Sequence, residues 1–255
     1  MSMQDKVAVV AAGGSGIGRS TAIGLARKGA RVAVIDLDGG AAEKVADEIR
    51  AAGGTVSAHV ADCGVVSELE RVVAEIEQLV DHVDILFNNV GMPNPHGIIG
   101  ITEAQWHRSM DVNLKSGFFL TQLLLPLMRA TGRGGSIVFT SSAAGLTGSY
   151  TTPLYSLTKS GVIGLVRSLA VHLAPDKIRV NAVCPGPVRT PMLAGFMQKG
   201  AEATDEVADL YASRVPLGRV AEADEIAEAV MFLASDEASY VTGVPFPVDG
   251  GYVAI

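Results

Sequence analysis

Tyr155 and Lys159 lie four residues apart in a stretch of helical period, Ser142 stands thirteen residues upstream at the end of a strand-like run, and Asn113 comes earlier still. A phenol, a hydroxyl, an ammonium and an amide form a set able to move a proton onto or off a substrate oxygen. Tyrosine ionises near pH ~10 in water, too high for a base working near neutrality, and a neighbouring ammonium favours the phenolate by opposite-charge attraction. Four residues make about one helical turn, so Lys159 shares a face with Tyr155 and can supply that field. The pair alone is a weak signal, and its weight depends on the elements that hold it.

Those elements alternate between short apolar runs and longer helical stretches. Strands are expected over Lys6–Ala11, Arg31–Asp36, Thr55–Val60, Val83–Asn88, Ser136–Thr140, Ile178–Cys184 and Val244–Val248. Helices are expected over Ile17–Lys28, Ala41–Ala52, Val66–Val80, Glu103–Arg129, Leu154–Leu173 and Glu222–Ala234. Most of the strand runs are continuously apolar, as strands buried on both faces of a parallel sheet must be. Regular alternation predicts an α/β fold, a doubly wound, Rossmann-like and mostly parallel sheet of about seven strands with helices on both faces. With no linker, low-complexity segment or internal repeat, residues 1–255 are expected to form one domain.

The first strand-to-helix turn is Ala11-Ala12-Gly13-Gly14-Ser15-Gly16-Ile17-Gly18. Glycines let the backbone approach a pyrophosphate closely, and the following helix aims free N–H groups and its positive dipole end at it. Asp36 ends the second strand eighteen residues after Gly18, where a dinucleotide fold places the carboxylate that hydrogen-bonds the adenosine ribose. The same carboxylate repels a 2′-phosphate, so NAD is favoured over NADP. A competing reading treats Gly13 to Ser20 as a nucleotide-triphosphate loop, but Arg19 stands where that loop needs the compact ammonium of lysine.

Composition excludes other classes. Hydrophobic residues make up 48% and charged residues 18% of 255 positions, which fits an ordered protein with a large core. Twenty basic residues against 27 acidic ones give −7, without a basic cluster, so nucleic acid and anionic membrane are poor partners. Cys63 and Cys184 lack metal or redox spacing and are expected as buried free thiols, suited to a reducing cytoplasm. No apolar run approaches a membrane span, and the His residues form no metal-like pattern. Trp106 and the methionines are expected in the core or lining a pocket.

Five motifs in order and spacing resemble the short-chain dehydrogenase/reductase family, in its one-domain form, over nearly the whole chain. Ala11 to Gly18 is similar to its glycine motif and Asn88-Asn89-Val90-Gly91 to its Asn-Asn-Ala-Gly. Asn113, Ser142, Tyr155 with Lys159, and Pro185-Gly186 match its remaining motifs. The chain departs from the family in three places. Ala11 and Ala12 replace a threonine and a glycine, and Val90 replaces the smaller alanine. Ala12 fits the turn only with a negative φ, leaving any left-handed residue to Gly13 or Gly14.

The resemblance implies roles. Tyr155 is the acid/base, Ser142 bonds the substrate oxygen, Lys159 also grips the nicotinamide ribose, and Asn113 holds a water that connects Lys159 to solvent. Cofactor contacts are implied at Gly13, Ser15, Gly16, Ile17, Gly18, Asp36, Asp62, Cys63, Asn89, Gly91, Tyr155, Lys159, Pro185, Gly186, Val188 and Thr190. His96, Ala144, Met192 and Phe196 are expected around the substrate, with Leu193 and Met197 adding to an apolar pocket. Residues 187–214 are expected to form a lid over it. Two very apolar helical stretches, Leu114 to Met128 and Val162 to Leu173, have more surface than a sheet face covers. A homo-oligomer is expected, and the family favours a tetramer. The expected function is an NAD(H)-dependent oxidoreductase acting on a small, largely apolar secondary alcohol or its ketone, tilted by Asp36 toward oxidation. The alternatives are a 3-oxoacyl thioester reductase and, from another class, a non-catalytic NAD-binding sensor or scaffold.

Overall fold

A computed structural model describes residues 1–197 and 204–254. Its strands are β1 (Val7–Ala11), β2 (Arg31–Asp36), β3 (Val56–Val60), β4 (Ile85–Asn88), β5 (Gly135–Thr140), β6 (Ile178–Pro185), β7 (Val188–Arg189), β8 (Ala221–Glu222) and β9 (Pro245–Val248). Seven of them form one sheet in the order β3-β2-β1-β4-β5-β6-β9, all parallel, while β7 and β8 make a separate short pair. The helices are α1 (Gly16–Arg27), α2 (Gly39–Ala51), α3 (Val66–Glu77), α4 (Glu103–Met110), α5 (Ser116–Arg129), α6 (Ala143–Leu146), α7 (Pro153–Leu173), α8 (Pro191–Gly195), α9 (Thr204–Ala212) and α10 (Ala223–Ala234).

Alternate strand residues enter two cores. Val9, Ile35, Leu86, Ile137 and Val180 meet Leu69 and Val72 of α3, Leu120 and Leu124 of α5, and Val162 and Val166 of α7. Val10, Val34, Phe87 and Val138 meet Leu25 of α1, Val45 and Ile49 of α2, and Ile226 and Val230 of α10. Helices on both faces leave no polar side to the central strands, which is why they carry near-continuous apolar runs.

Strand bounds fall within two residues of those expected. The helix expected over Glu103–Arg129 is divided by a π turn, Asp111–Lys115, in which the Ser116 N–H donates to the Asp111 carbonyl. Such wide turns occur where a helix must redirect a side chain. Trp106, expected in the core or lining a pocket, is 42% exposed, because α4 buries little beyond Ser109. Residues 198–203 of the expected lid lie outside the described residues. The rest of 187–214 includes β7, α8 and α9, and α8 and α9 pack on a small core of Leu193, Val207, Ala208 and Val220. Cys63 and Cys184 are free and buried. Among the described residues no helix is long and apolar enough to cross a membrane.

Candidate active site

Strand order reverses between β1 and β4, whose ends meet where Ala11 pairs with Asn88. Connections leave that point toward opposite faces and open a crevice at the carboxyl ends of the strands. The glycine turn lies in its mouth. Contrary to expectation Ala12 adopts φ 55, while neither Gly13 nor Gly14 has positive φ. Those two glycines serve closeness instead. A Cβ on Gly13 would lie 2.9 Å from Val34 Cγ1, and one on Gly14 2.9 Å from both Ala41 Cβ and Asp36 Oδ2. Gly16, at φ 50, also lies in the left-handed region, where glycine is at ease, whereas the alanine at 12 holds it at a cost of about 1–2 kcal/mol. A Cβ on Gly18 would sit 1.9 Å from the Ala12 carbonyl oxygen, so Gly18 lets α1 start directly under the turn. Asn89 ties the turn to the sheet, donating from Nδ2 to the Ala12 carbonyl at 3.2 Å and accepting at Oδ1 from the Thr140 hydroxyl at 2.9 Å. Ser15, the N-cap of α1, makes no side-chain capping bond, which leaves first-turn N–H groups open to an anion.

Asp36 Oδ2 accepts from the Gly14 N–H at 2.8 Å and Oδ1 from the Asp38 N–H at 3.0 Å, so the carboxylate is fixed at the rim with lone pairs remaining. Arg19 pairs with Glu48 at 2.5 Å instead of facing the turn, which removes the triphosphate-loop reading. The cleft, about 380 Å³, is lined by Ser15, Gly16, Ile17, Asp36, Asp62, Cys63, Asn89, Gly91, Tyr155, Lys159 and Thr190, all expected there. Gly13 and Gly18 pack beneath the turn rather than on the cleft wall, and Pro185, Gly186 and Val188 line the adjoining cavity instead. Asp62 accepts from Arg108 at 2.8 Å and from the Gly64 N–H at 2.9 Å. Burial, with the Asp36, Asp62 and Glu68 carboxylates nearby, pushes the Cys63 thiol up to about 12 and leaves it an inert neutral wall. A glycine turn on a helix N-terminus, a rim carboxylate and a cleft floored by bare backbone fit a nicotinamide dinucleotide.

Pro153 starts α7 at its first turn, and the buried face of that helix carries Tyr155, 6% exposed, and Lys159, 2% exposed. Lys159 Nζ donates to the Thr140 carbonyl at 2.9 Å and lies 5.7 Å from the centroid of the Tyr155 ring. Ser142 caps α6, accepting from the Ala144 N–H at 3.1 Å, and lies near enough to Tyr155 to pull its phenol down. Burial pushes the Tyr155 phenol up to about 12, against the smaller opposing pull of Ser142, and pushes Lys159 down to about 8. Desolvation disfavours the charged form of each group.

The π turn aims Asn113 at the loop after β4. Its Oδ1 accepts from the Met92 N–H at 2.7 Å, and its Nδ2 donates to the Met92 carbonyl at 3.2 Å and to Asn94 Oδ1 at 3.0 Å. A Cβ on Gly91 would come 3.3 Å from Lys159 Nζ and 3.5 Å from Asn113 Oδ1, so the loop backbone passes close to both groups. Asn113 thus belongs to the site through the loop it holds.

A second cavity, about 240 Å³, shares Ile17, Thr140, Tyr155, Thr190 and Met192 with the cleft. Ser142, Ala144, Leu193 and Phe196 also line it, and the Phe196 ring meets Tyr155 edge-on at 5.0 Å. His96 is not part of that lining; its Nε2 lies 2.5 Å from the Phe196 carbonyl and steadies α8 from outside. Thr140, Asn94, Tyr211, Arg214 and Tyr252 belong to the site or its supports without having been singled out by the sequence. They come from distant segments, and no local pattern marks them. Among the described residues no group of three His, Cys, Asp or Glu could hold a metal ion.

The family model described as enoyl-(acyl carrier protein) reductase matches residues 11–253. The chain belongs to the short-chain dehydrogenase/reductase family, a family of oxidoreductases that bind NAD(P). It is 36% identical to the 3-oxoacyl-(acyl-carrier-protein) reductase FabG of Thermotoga maritima over 99% of this chain and 100% of that one. It is 38% identical to cyclohexanol dehydrogenase of an Acinetobacter species, covering 98% of this chain and 96% of that one. Levodione reductase superimposes with a TM-score of 0.92 at 33% identity, over 98% of both chains.

Proposed function

We propose that the protein is an NAD(H)-dependent oxidoreductase interconverting a small secondary alcohol of largely apolar skeleton and its ketone. The observation that carries this is the place of Tyr155, a buried phenol on the wall shared by the dinucleotide cleft and the smaller cavity. In oxidation Tyr155 first passes its phenol proton to the neutral form of Lys159, and the resulting phenolate Oη takes the carbinol proton while Ser142 Oγ holds the same oxygen in line with it. A bound nicotinamide supplies the hydride acceptor and, when oxidised, a positive ring charge. Lys159, with its ammonium brought down to about 8, exchanges a proton near neutrality, and its anchorage on Thr140 keeps it beside the phenol. Asn113 and Gly91 keep the loop over Lys159 in place.

Asp36 supports NAD over NADP, because a 2′-phosphate would face a carboxylate. The cations that could offset it are engaged elsewhere, Arg19 with Glu48 and Arg108 with Asp62. Kinship with reductases of 3-oxoacyl carrier substrates supports a second reading, reduction of an acyl thioester. One experiment separates the two. Purified protein is assayed at 340 nm with NAD⁺ or NADP⁺ against a panel of secondary alcohols, and with NADH or NADPH against ketones and 3-oxoacyl thioesters. Turnover of free alcohols or ketones with the non-phosphorylated cofactor supports the first reading; turnover confined to thioesters with NADPH overturns it.

A further inference from the structure

The cavity beside Tyr155 is apolar along Met192, Leu193 and Phe196, but one corner differs. Tyr211 and Arg214, from the end of α9 and just beyond it, and Tyr252, from the turn after β9, line the same cavity. The Arg214 guanidinium lies 5.7 Å from the centroid of the Tyr211 ring, and Tyr211 feels both Arg214 and Tyr252. Among the described lining residues no Asp, Glu, Lys or His accompanies it, so Arg214 brings the only formal charge.

Arg214 is also unusual among its neighbours. Arg189 pairs with Asp205 and Glu222, and Arg219 pairs with Glu225. Among the described residues no carboxylate pairs with Arg214, although the chain has 27 acidic residues to 20 basic. Its backbone is fixed, the Arg214 N–H donating to the Tyr211 carbonyl at 2.9 Å and Val215 being buried behind it. The Arg214 side chain is exposed at the cavity's edge beside the Tyr211 ring, and its planar fork of donors is free to meet a ligand there. That fork matches a carboxylate with two parallel hydrogen bonds, and neighbouring tyrosine hydroxyls can add another.

We propose that Arg214 binds a carboxylate on the end of the substrate remote from the reacting carbon, so that the substrate is a hydroxy acid or the corresponding oxo acid. The proposal rests on the reading of Tyr155 and Ser142 as the reacting end. The apolar wall between accounts for a short methylene chain linking the two functions, and a cavity of about 240 Å³ suits a free acid of a few carbons.

Rates with NADH are compared for 3-oxobutanoate, 4-oxopentanoate and 5-oxohexanoate against 2-butanone, 2-pentanone and 2-hexanone. The expected result is that the best acid exceeds its neutral partner about ten- to a hundredfold in kcat/KM, chiefly through KM, as a charge-assisted bond provides. Arg214→Gln brings that ratio close to one, and Arg214→Lys keeps part of it. A wild-type protein that favours the neutral ketones, or a ratio unaltered in Arg214→Gln, overturns the proposal. Calorimetric titration of the protein with NADH present, using pentanoate and pentanamide, tests recognition without turnover. Tighter binding of pentanoate that is lost in Arg214→Gln supports the carboxylate site even where no ketone is reduced and the proposed reaction fails. Equal binding of the two probes, or a preference that survives Arg214→Gln, overturns it.

Discussion

The Lys159 ammonium is 5.7 Å from the centroid of the Tyr155 ring, while its own hydrogen bond runs to the Thr140 carbonyl at 2.9 Å. The lysine is therefore anchored to the sheet, and the phenol meets it across a gap. Each group sits in a dry environment that opposes its charge. A neutral phenol beside an ammonium near its ionisation point is a proton reservoir whose state responds to any added positive charge.

Stability should record this burial. The Lys159 pKa of about 8 in the fold lies below the ~10.4 of an unfolded lysine, so the penalty for burying its charge is complete below pH ~8. Between ~8 and ~10.4 the unfolded chain binds more protons, and stability contributed at this position rises with pH. Lys159→Met is expected to raise the free energy of unfolding by about 1–2 kcal/mol at pH 7 and by less at pH 10. Urea denaturation at both pH values measures it; a pH-independent loss of stability in the variant counts against the burial argument.

Tyr155 has the opposite sign. With its folded pKa at about 12, above the ~10 of unfolded tyrosine, the native phenol keeps its proton where the unfolded one has lost it. This contribution to stability is complete below pH ~10 and disappears as pH rises toward 12. Tyr155→Phe should flatten that part of the alkaline stability curve. The same variant is expected to lower kcat by about 10²–10⁴-fold while NADH titration by fluorescence gives a Kd within about threefold of wild type. Retained turnover would remove Tyr155 from the mechanism.

Asp36 anchors the Gly14 N–H as well as standing at the rim, so a small substitution would confuse two effects. Asp36→Asn keeps an acceptor and removes the charge. The ratio of kcat/KM for NAD over NADP should fall about tenfold or more, mainly through gain with NADP. An unchanged ratio assigns Asp36 to the turn alone.

Ala12→Gly relieves a left-handed alanine. After the greater chain entropy of glycine is counted, a gain of about 0.5–1 kcal/mol in unfolding free energy is expected. Ala12→Val, by contrast, should lose stability and weaken NADH binding, since a branched side chain fits that φ poorly. Equal stability of the three proteins would show that the turn relaxes freely.

The apolar stretches expected to exceed what one sheet face covers leave Phe118 44% and Val171 79% exposed, and α7 also leaves Leu157 48% exposed. Association between copies would cover these side chains, and light scattering at micromolar concentration is expected to give the mass of a tetramer. Phe118→Glu should shift that mass downward if α5 faces another copy.

The central sheet was legible in the chain because strands buried on both faces write themselves as apolar runs, as β1 and β2 do. So was the assembly of Ser142, at the cap of α6 just after β5, with Tyr155 and Lys159 on α7. The π turn was not, since Asn113 fits an uninterrupted helical period and only the packing of the loop at Met92 to Asn94 demands the wider turn. The left-handed conformation of Ala12 was missed for a related reason. Glycine marks both positive φ and close approach, and at Gly13 and Gly14 it is closeness that matters. Arg214 and Tyr252 meet only through the tertiary fold, beyond the reach of any local pattern.

The wall formed by α8 and α9 rests on its own few residues, Leu193, Val207, Ala208 and Val220, apart from the two cores that clasp the sheet. Mutations there touch neither of those two cores, although Phe196 at the end of α8 does meet the phenol. This gives the protein a replaceable visor, a part that selection or an engineer can recut to suit a new substrate while the chemistry beneath stays as it is.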